Sequence, residues 1–539
     1  MTPDENTSNP PEPDGDGRDQ TPLSGVWSRR RFLGLVAAAG ATAFLGGCTG
    51  GNSANPSGAA TKAGKVTTGV ATTTAATMGE LPPKIPLDAE PPPLVPAIQP
   101  ATAPAYGAVT LDTDVCVVGG GSAGMAAATA AARLGVRTVL LEEAFSLGGN
   151  MTLGLVAPDR IAYGGSPMVA GYFEDVFRAL AKTGNAVYPS PETQYSTPYD
   201  PDALRREALR LARASNVDVR LDTKVTSVQR DEREIVAVSA ASQGQTIRVT
   251  ARVFLDCSGD GNLGYLAGHP YWMGDRNHHE IQGQTVVFHA SPVNFAALQH
   301  FAEAEGSLVN AWQVVGLRTV IRELRKAKRL SGSGQDGVLI NRKMEPSTVS
   351  VSWSQVYENH LDPGAMAGIA AALETQDYQL IAGLKDVVPG FEHARVVRLA
   401  DRPYLREGRR LAGLIQLTGD DVLAGRKTDD SVARGWYPID LHVAYGAGKV
   451  HYGQPKAGDW YSIPYRCLVA RDVDNLMMAG RCISVTHEAL GSVRISPTSM
   501  AVGQAAGIAA ASAVKTSRQP SKVDVEAVRA EITAQGGML

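Results

Sequence analysis

Two histidines and one arginine-rich run carry the side chains that could do chemistry. Imidazole titrates near neutrality, so a histidine within hydrogen-bonding reach of a substrate can take or give its proton. His487 stands in Val485-Thr486-His487-Glu488-Ala489, and His442 closes Tyr437-Pro438-Ile439-Asp440-Leu441-His442. Asp440 lies two positions before His442, on the same face if this run is a strand. Arg406-Glu407-Gly408-Arg409-Arg410 puts four charges into five residues, just before the apolar Leu411-Ala412-Gly413-Leu414-Ile415. The planar fork of Arg406 suits a carboxylate or a hydroxyl-rich substrate, although such a run is ordinarily a solvated face. His278-His279 fall in a polar stretch and are expected to face solvent. No Cys/His spacing suits zinc or an iron–sulfur cluster, so no metal is expected.

These groups need elements to position them, and the clearest such signal is a nucleotide fingerprint. Asp114-Val115-Cys116-Val117-Val118 reads as a buried parallel strand. It runs directly into Gly119-Gly120-Gly121-Ser122-Ala123-Gly124, a G-x-G-x-x-G. Gly119 allows the tight strand-to-helix turn, Gly121 lets the backbone approach a pyrophosphate, and Gly124 lets helix and strand pack closely. Ser122 and Ala123 open the helical run, whose first N–H groups are presented to phosphate. A second strand, Thr138 to Leu141, ends in Glu142-Glu143. Glu142 lies 18 residues beyond Gly124, where a carboxylate can accept hydrogen bonds from ribose hydroxyls. This motif alone allows NAD or FAD. Gly148-Gly149, with Met151 just after, gives a further close approach suited to a ligand that continues past the pyrophosphate, and so favours FAD.

The ordered segments VVGGGSAGMAAATAAARLG, LEEAFSLGGNMT, VFLDCSGDGNLGYLAG, REGRRLAG, YPIDLH and NLMMAGRCISVTHEALGSVRISPTSMAVGQAAG extend this reading. With them, most of residues 112–515 resembles the FAD dependent oxidoreductase family, a glutathione-reductase-like branch of flavoproteins. The resemblance implies an α/β fold, with a Rossmann-like FAD-binding domain of glutathione-reductase type and an inserted α+β substrate domain. It implies that the backbone of Val225 touches adenine, and that Gly259 and Asp260 line the cofactor at a strand end. Gly480-Arg481 would lie near the ribityl chain and pyrophosphate, and the helix containing Gly503 would abut the isoalloxazine. Arg494 and His487 would fall close to the flavin. The FAD domain is expected over 109–155, 215–270 and 460–515, with a substrate or cap domain over 156–214 and 271–459 and a C-terminal tail helix over 516–539.

A chain of 539 residues exceeds what one core usually organises. Its net charge of −3, without a Lys/Arg stripe interleaved with aromatics, argues against a nucleic-acid partner. Cys116, Cys257, Cys467 and Cys482 lie in apolar runs and are expected to be small buried side chains. Ser28-Arg29-Arg30-Arg31-Phe32-Leu33-Gly34 precedes an apolar stretch, Leu35 to Leu45, shorter than the roughly 20 residues that span a bilayer. That is the form of a secretory signal, and the arginine pair resembles the twin-arginine address. Leu45-Gly46-Gly47-Cys48 resembles a lipobox, so residues 1–48 are expected to export the protein and anchor it to the membrane through a lipidated Cys48. Residues 49–108, rich in Ala, Thr and Pro, read as a disordered tether. The expected function is an exported FAD-dependent oxidoreductase. It would move hydride between a small polar organic substrate, an alcohol or sugar-like hydroxyl compound first, and flavin N5, with an electron acceptor that the sequence does not identify. The alternatives are an FAD-dependent reductase of an activated C=C bond and a non-catalytic exported flavin-binding protein. The lack of a second G-x-G-x-x-G weighs against a flavin monooxygenase.

Overall fold

The computed structural model describes residues 109–539 apart from 159–161, 164–165, 191–196, 278, 445–449, 454 and 456–458. The expected export signal over 1–48 and the expected tether over 49–108 lie outside the described residues. A five-stranded parallel sheet organises the nucleotide half, in the order Leu476–Met478, Val253–Asp256, Val115–Val118, Thr138–Leu141 and Val217–Arg220. Four of these strands are short apolar runs buried along their whole length, as strands covered on both faces must be. The last strand to join comes from the far end of the chain, so the sheet is complete only when residues 476–478 return to it.

Two helices close on each other beside this sheet because their residues are small. Ser122–Arg133 is largely alanine, and Ser496–Thr516 brings Gly503 and Gly507 against it. A Cβ on Gly503 would stand 2.1 Å from the carbonyl oxygen of Ala123, and one on Gly507 would stand 2.1 Å from that of Ala127. The helix Pro201–Ala214, expected with the cap, belongs here instead. It is the crossover before the parallel strand Val217–Arg220, and its Leu204, Ala208 and Ala212 are buried in the same core as the fingerprint strand. A four-stranded sheet, Val109–Asp112, Gln245–Thr250, Glu234–Ser242 and Thr223–Asp231, shares that core. Val217–Arg220 and Thr223–Asp231, neighbours in sequence, join different sheets.

The remainder is built on a six-stranded antiparallel sheet, from Val287–Ser291 through Arg395–Leu399. The 23-residue helix Ala365–Val387 comes before the last of these strands in the chain, with Ile369 and Leu373 packed on Val286 and Val356. The segment after residue 400 stitches the two halves together. Arg410–Leu411 pairs with Tyr271–Trp272, and Leu417 bridges to Val485. That stitching puts a charged run inside the protein. Beyond the long helix, the tail forms Val525–Ala534, held by buried Val528 and Ile532. Among the described residues no helix is long and apolar enough to cross a membrane.

Candidate active site

The fingerprint glycines divide into those the protein needs and those it leaves bare. Gly119 has φ +98°, and a Cβ there would stand 2.5 Å from the carbonyl oxygen of Cys257. A Cβ on Gly124 would fall 1.7 Å from the carbonyl oxygen of Gly119. Both positions are set by internal packing. Gly121 differs, since its φ of −68° and ψ of −168° suit any residue and its Cβ would meet only Gly149 Cα, at 4.0 Å. Two bare backbones therefore face each other at the start of Ser122–Arg133, a helix with no side chain capping its first turn. Its leading N–H groups are the donors a phosphate uses. Glu142 completes this cradle, accepting from the N–H of Ala144 at 2.7 Å and from that of Gly120. Burial lifts its carboxyl above the ordinary value, against the pull of those two donors. The N–H of Thr223 donates to the carbonyl of Glu142 at 2.8 Å, which brings Val225, two residues on, to the same sheet end.

The turn after Leu476–Met478 reaches the cradle from the other side. Gly480, at φ +84°, would put a Cβ 3.1 Å from that of Ala123. Arg481 then pairs with Asp260 at 3.0 Å, and a Cβ on Gly259 would stand 2.6 Å from its guanidinium. His360 lies 3.3 Å from the same carboxylate. Burial pushes the Asp260 carboxyl up, but Arg481, with His360 and Arg409, outweighs it and holds the group at about 2.

Two buried polar clusters lie beyond. In the first, Glu407 is fully buried and takes the Nδ1 of His487 at 2.9 Å, the backbone N–H of Gln282 at 3.0 Å and the guanidinium of Arg410. Arg410 also donates to the carbonyls of Val485 at 3.1 Å and Gly274 at 2.8 Å. Burial lowers the Arg410 guanidinium to about 10, which still leaves it charged at neutral pH. In the second cluster, Arg494 pairs with Asp440 at 2.9 Å and reaches the hydroxyl of Tyr404. Asp440 lies 3.3 Å from His442, whose Nδ1 is 2.9 Å from the amide nitrogen of Gln355. Burial would raise Asp440, but the ring N–H of His442 and the guanidinium of Arg494 hold it below the usual carboxylate range. Burial, with Arg406 nearby, drops His442 to about 4. The ring is therefore neutral, with Nε2–H donating to Asp440 and Nδ1 accepting from Gln355.

The profile of one family, described as FAD dependent oxidoreductase, matches residues 114–532. The chain belongs to that family. It is an enzyme, an FAD-dependent oxidoreductase with an α/β, Rossmann-like cofactor domain. No curated protein matches it in sequence. Solved structures with a similar trace include a geranylgeranyl bacteriochlorophyll reductase-like protein from Thermoplasma acidophilum, 12% identical over 79% of this chain and 84% of that one, with a TM-score of 0.42. Another is the p-nitrophenol 4-monooxygenase PnpA from Pseudomonas putida DLL-E4, 13% identical over 76% and 79%, with a TM-score of 0.37. The cradle of this oxidoreductase fits FAD. The side-chain-free backbones of Gly121 and Gly149, the uncapped helix start at Ser122 and Ala123, and the buried Glu142 are what a pyrophosphate and ribose require.

Other expected cofactor residues of the oxidoreductase have different surroundings. Glu143 is exposed and paired with Arg402 at 2.8 Å and Lys224 at 3.8 Å. The Met151 side chain is fully buried in the core, while its carbonyl accepts from the hydroxyl of Tyr199 at 2.6 Å. Gly148, at φ +104°, would put a Cβ 2.4 Å from Thr152, so the turn itself explains it. Gly503 is accounted for by helix packing, and Arg494 by Asp440. His442, expected to be catalytic, has both ring nitrogens engaged within its cluster, by Asp440 and Gln355. His279 is exposed as expected, and His278 lies outside the described residues. The four described cysteines are buried and carry no disulfide, and those residues hold no metal-ligating cluster. Sequence reasoning missed Glu407, Arg410, Gln355 and His360. Only the first two carry a signal, the charge-dense run from which Arg406 alone stands out as a candidate.

Proposed function

We propose that this enzyme oxidises a hydroxyl-bearing polar organic substrate, with His487 as the general base. The buried Glu407 on the Nδ1 of His487 carries the reading. A carboxylate there fixes the tautomer in which Nε2 is the basic nitrogen, and it stabilises the imidazolium that forms when a substrate hydroxyl gives up its proton. Arg410 keeps Glu407 ionised, since a guanidinium in contact favours the charged form. FAD, when bound, supplies the hydride acceptor. Anaerobic mixing of holoenzyme with alcohols, sugars, amines and acids tests the direction. Bleaching of the flavin by a hydroxyl compound is expected, and reoxidation of reduced enzyme by an enoate, with no bleaching by any alcohol, would reverse the assignment. His487→Ala should retain the flavin spectrum and slow bleaching about 100-fold or more. Unchanged kinetics would remove His487 from the mechanism.

We read the cofactor half as glutathione-reductase type, because an antiparallel sheet over 223–250 interrupts the parallel one and a C-terminal strand closes it. We also read residues 28–48 as a twin-arginine export signal ending in a lipidated Cys48, so the enzyme would work at the outer face of the cell membrane. Arg29-Arg30 and Leu45-Gly46-Gly47-Cys48 support this. The twin-arginine route carries folded proteins, which suits an enzyme that takes up FAD before export.

A further inference from the structure

We propose that Arg406 anchors a singly charged carboxylate of the substrate, which makes that substrate a hydroxy acid and not a neutral alcohol. The inference rests on the oxidation of a hydroxyl proposed above and names the second group the substrate must carry. Arg406 is 3% exposed and bonds only to neutral acceptors, the carbonyl of Gly283 at 2.7 Å and the hydroxyl of Thr285 at 2.7 Å. Its guanidinium also lies 4.5 Å from the centre of the Tyr404 ring. Among the described residues no carboxylate comes within ion-pair distance of it, and its buried Nε has no hydrogen-bond partner. The two neighbouring buried arginines are treated differently. Arg410 has Glu407 and Arg494 has Asp440.

Charge and hydrogen-bonding capacity both point to the missing group. Arg410 and Arg494 are in contact with Glu407 and Asp440 and His442 is neutral, so Arg406 is the buried arginine with no carboxylate in contact among the described residues, Asp440 acting on it only from beyond ion-pair distance. A buried charge is tolerated when an opposite one meets it. A monoanion balances this one, whereas a dianion would set a second negative charge near Asp440. The same spot holds unused polar atoms. Gly283, which accepts from Arg406, abuts the side chains of Gln355 and Tyr357. The Oε1 of Gln355 and the hydroxyl of Tyr357 are buried without partners, as are both amide atoms of the adjacent Gln282. Together they offer donors to a carboxylate and an acceptor to a hydroxyl, the mixed set that a hydroxy acid satisfies and a hydrocarbon would not.

Calorimetric titration of the FAD-loaded enzyme with acetate, glycolate and gluconate, against acetamide and ethylene glycol, tests the site without requiring turnover. Saturable binding of at least one carboxylate is expected, at least tenfold tighter than the neutral compounds. Arg406→Gln should weaken that binding by at least about tenfold while FAD content holds. Tyr357→Phe, a gentler change, should weaken it severalfold and decides the matter if the arginine variant fails to fold. The proposal is overturned if no carboxylate binds, if acetamide binds as well as acetate, if chloride or sulfate competes equally, or if the variants that fold keep full affinity. Carboxylate binding without flavin bleaching by any hydroxy acid would sink the oxidation reading and leave this subsite standing. Bleaching by neutral alcohols without carboxylate binding would do the reverse.

Discussion

Replacing Gly121 with valine should separate what the glycine loop does for the fold from what it does for FAD. The backbone there already has a conformation open to any residue, and its Cβ meets only Gly149 Cα at 4.0 Å. The apoprotein should therefore lose no more than about 1 kcal/mol, the scale of a substitution away from packed contacts. The cofactor has no such tolerance, because the branched side chain would stand where a pyrophosphate approaches the N–H groups of Ser122 and Ala123. Hydrogen bonds to a charged group contribute about 1.5–3 kcal/mol each, so losing two costs about 3–6 kcal/mol, or roughly 10²- to 10⁴-fold in Kd. Gly124→Ala is the control, since its Cβ would fall 1.7 Å from the carbonyl oxygen of Gly119 and must displace the turn. Flavin absorbance of purified protein, fluorescence titration of the apoprotein with FAD, and calorimetric melting of both apo variants measure the three quantities. The expected pattern is a colourless but well-folded Gly121→Val beside a destabilised Gly124→Ala. A yellow Gly121→Val with unchanged affinity would refute the cradle, and an apo Gly121→Val that melts as low as Gly124→Ala would refute the division of roles.

Glu407→Gln should keep FAD and slow flavin reduction by at least about tenfold, because an amide no longer stabilises the imidazolium of His487; equal rates would make the contact merely structural. Asp260, held at about 2 against an ordinary 3.8, has a depressed folded-state value. Its stabilisation is therefore complete above pH ~4 and lost as pH falls toward ~2, about 2 kcal/mol in all, so the acid limb of the apoprotein's stability curve should flatten in Asp260→Asn. An unchanged acid limb would show that the carboxylate's pairing with Arg481 contributes nothing. Cys48→Ala should move the enzyme from the membrane fraction to the soluble one, and continued membrane association would defeat the lipid anchor.

What was legible in the sequence was what lies close together in it. Gly119 to Gly124, Glu142 and Gly148-Gly149 fall within 31 residues, and each has a job that glycine or a carboxylate does by virtue of its type. The buried polar clusters of the candidate site are not of this kind. Glu407 and His487 are 80 residues apart, and Gln355 and His442 are 87 apart. Glu407 reaches His487 only because residues 400–417 are stitched into the interior, and that is a tertiary event without a local pattern. Gly503 shows the opposite failure, since a glycine beside a cofactor helix has the same type whether it touches a ligand or another helix. Only the 2.1 Å approach to Ala123 tells the two apart.

The run Arg406–Arg410 shows why burial changes the meaning of charge. On a surface its pairs would contribute little, and in the interior an ion pair is no better for stability than well-packed apolar residues of the same size. A core selected for stability alone would not place Arg406, Glu407 and Arg410 at 3%, 0% and 0% exposure. The cost is intelligible if the charges serve the site. In the proposed mechanism Glu407 sets the tautomer of His487 and Arg410 favours the ionised Glu407, while Arg406 has no carboxylate in contact among the described residues. Two of the three buried arginines are in contact with carboxylates, and the third is the one to which the proposal assigns the substrate's carboxylate.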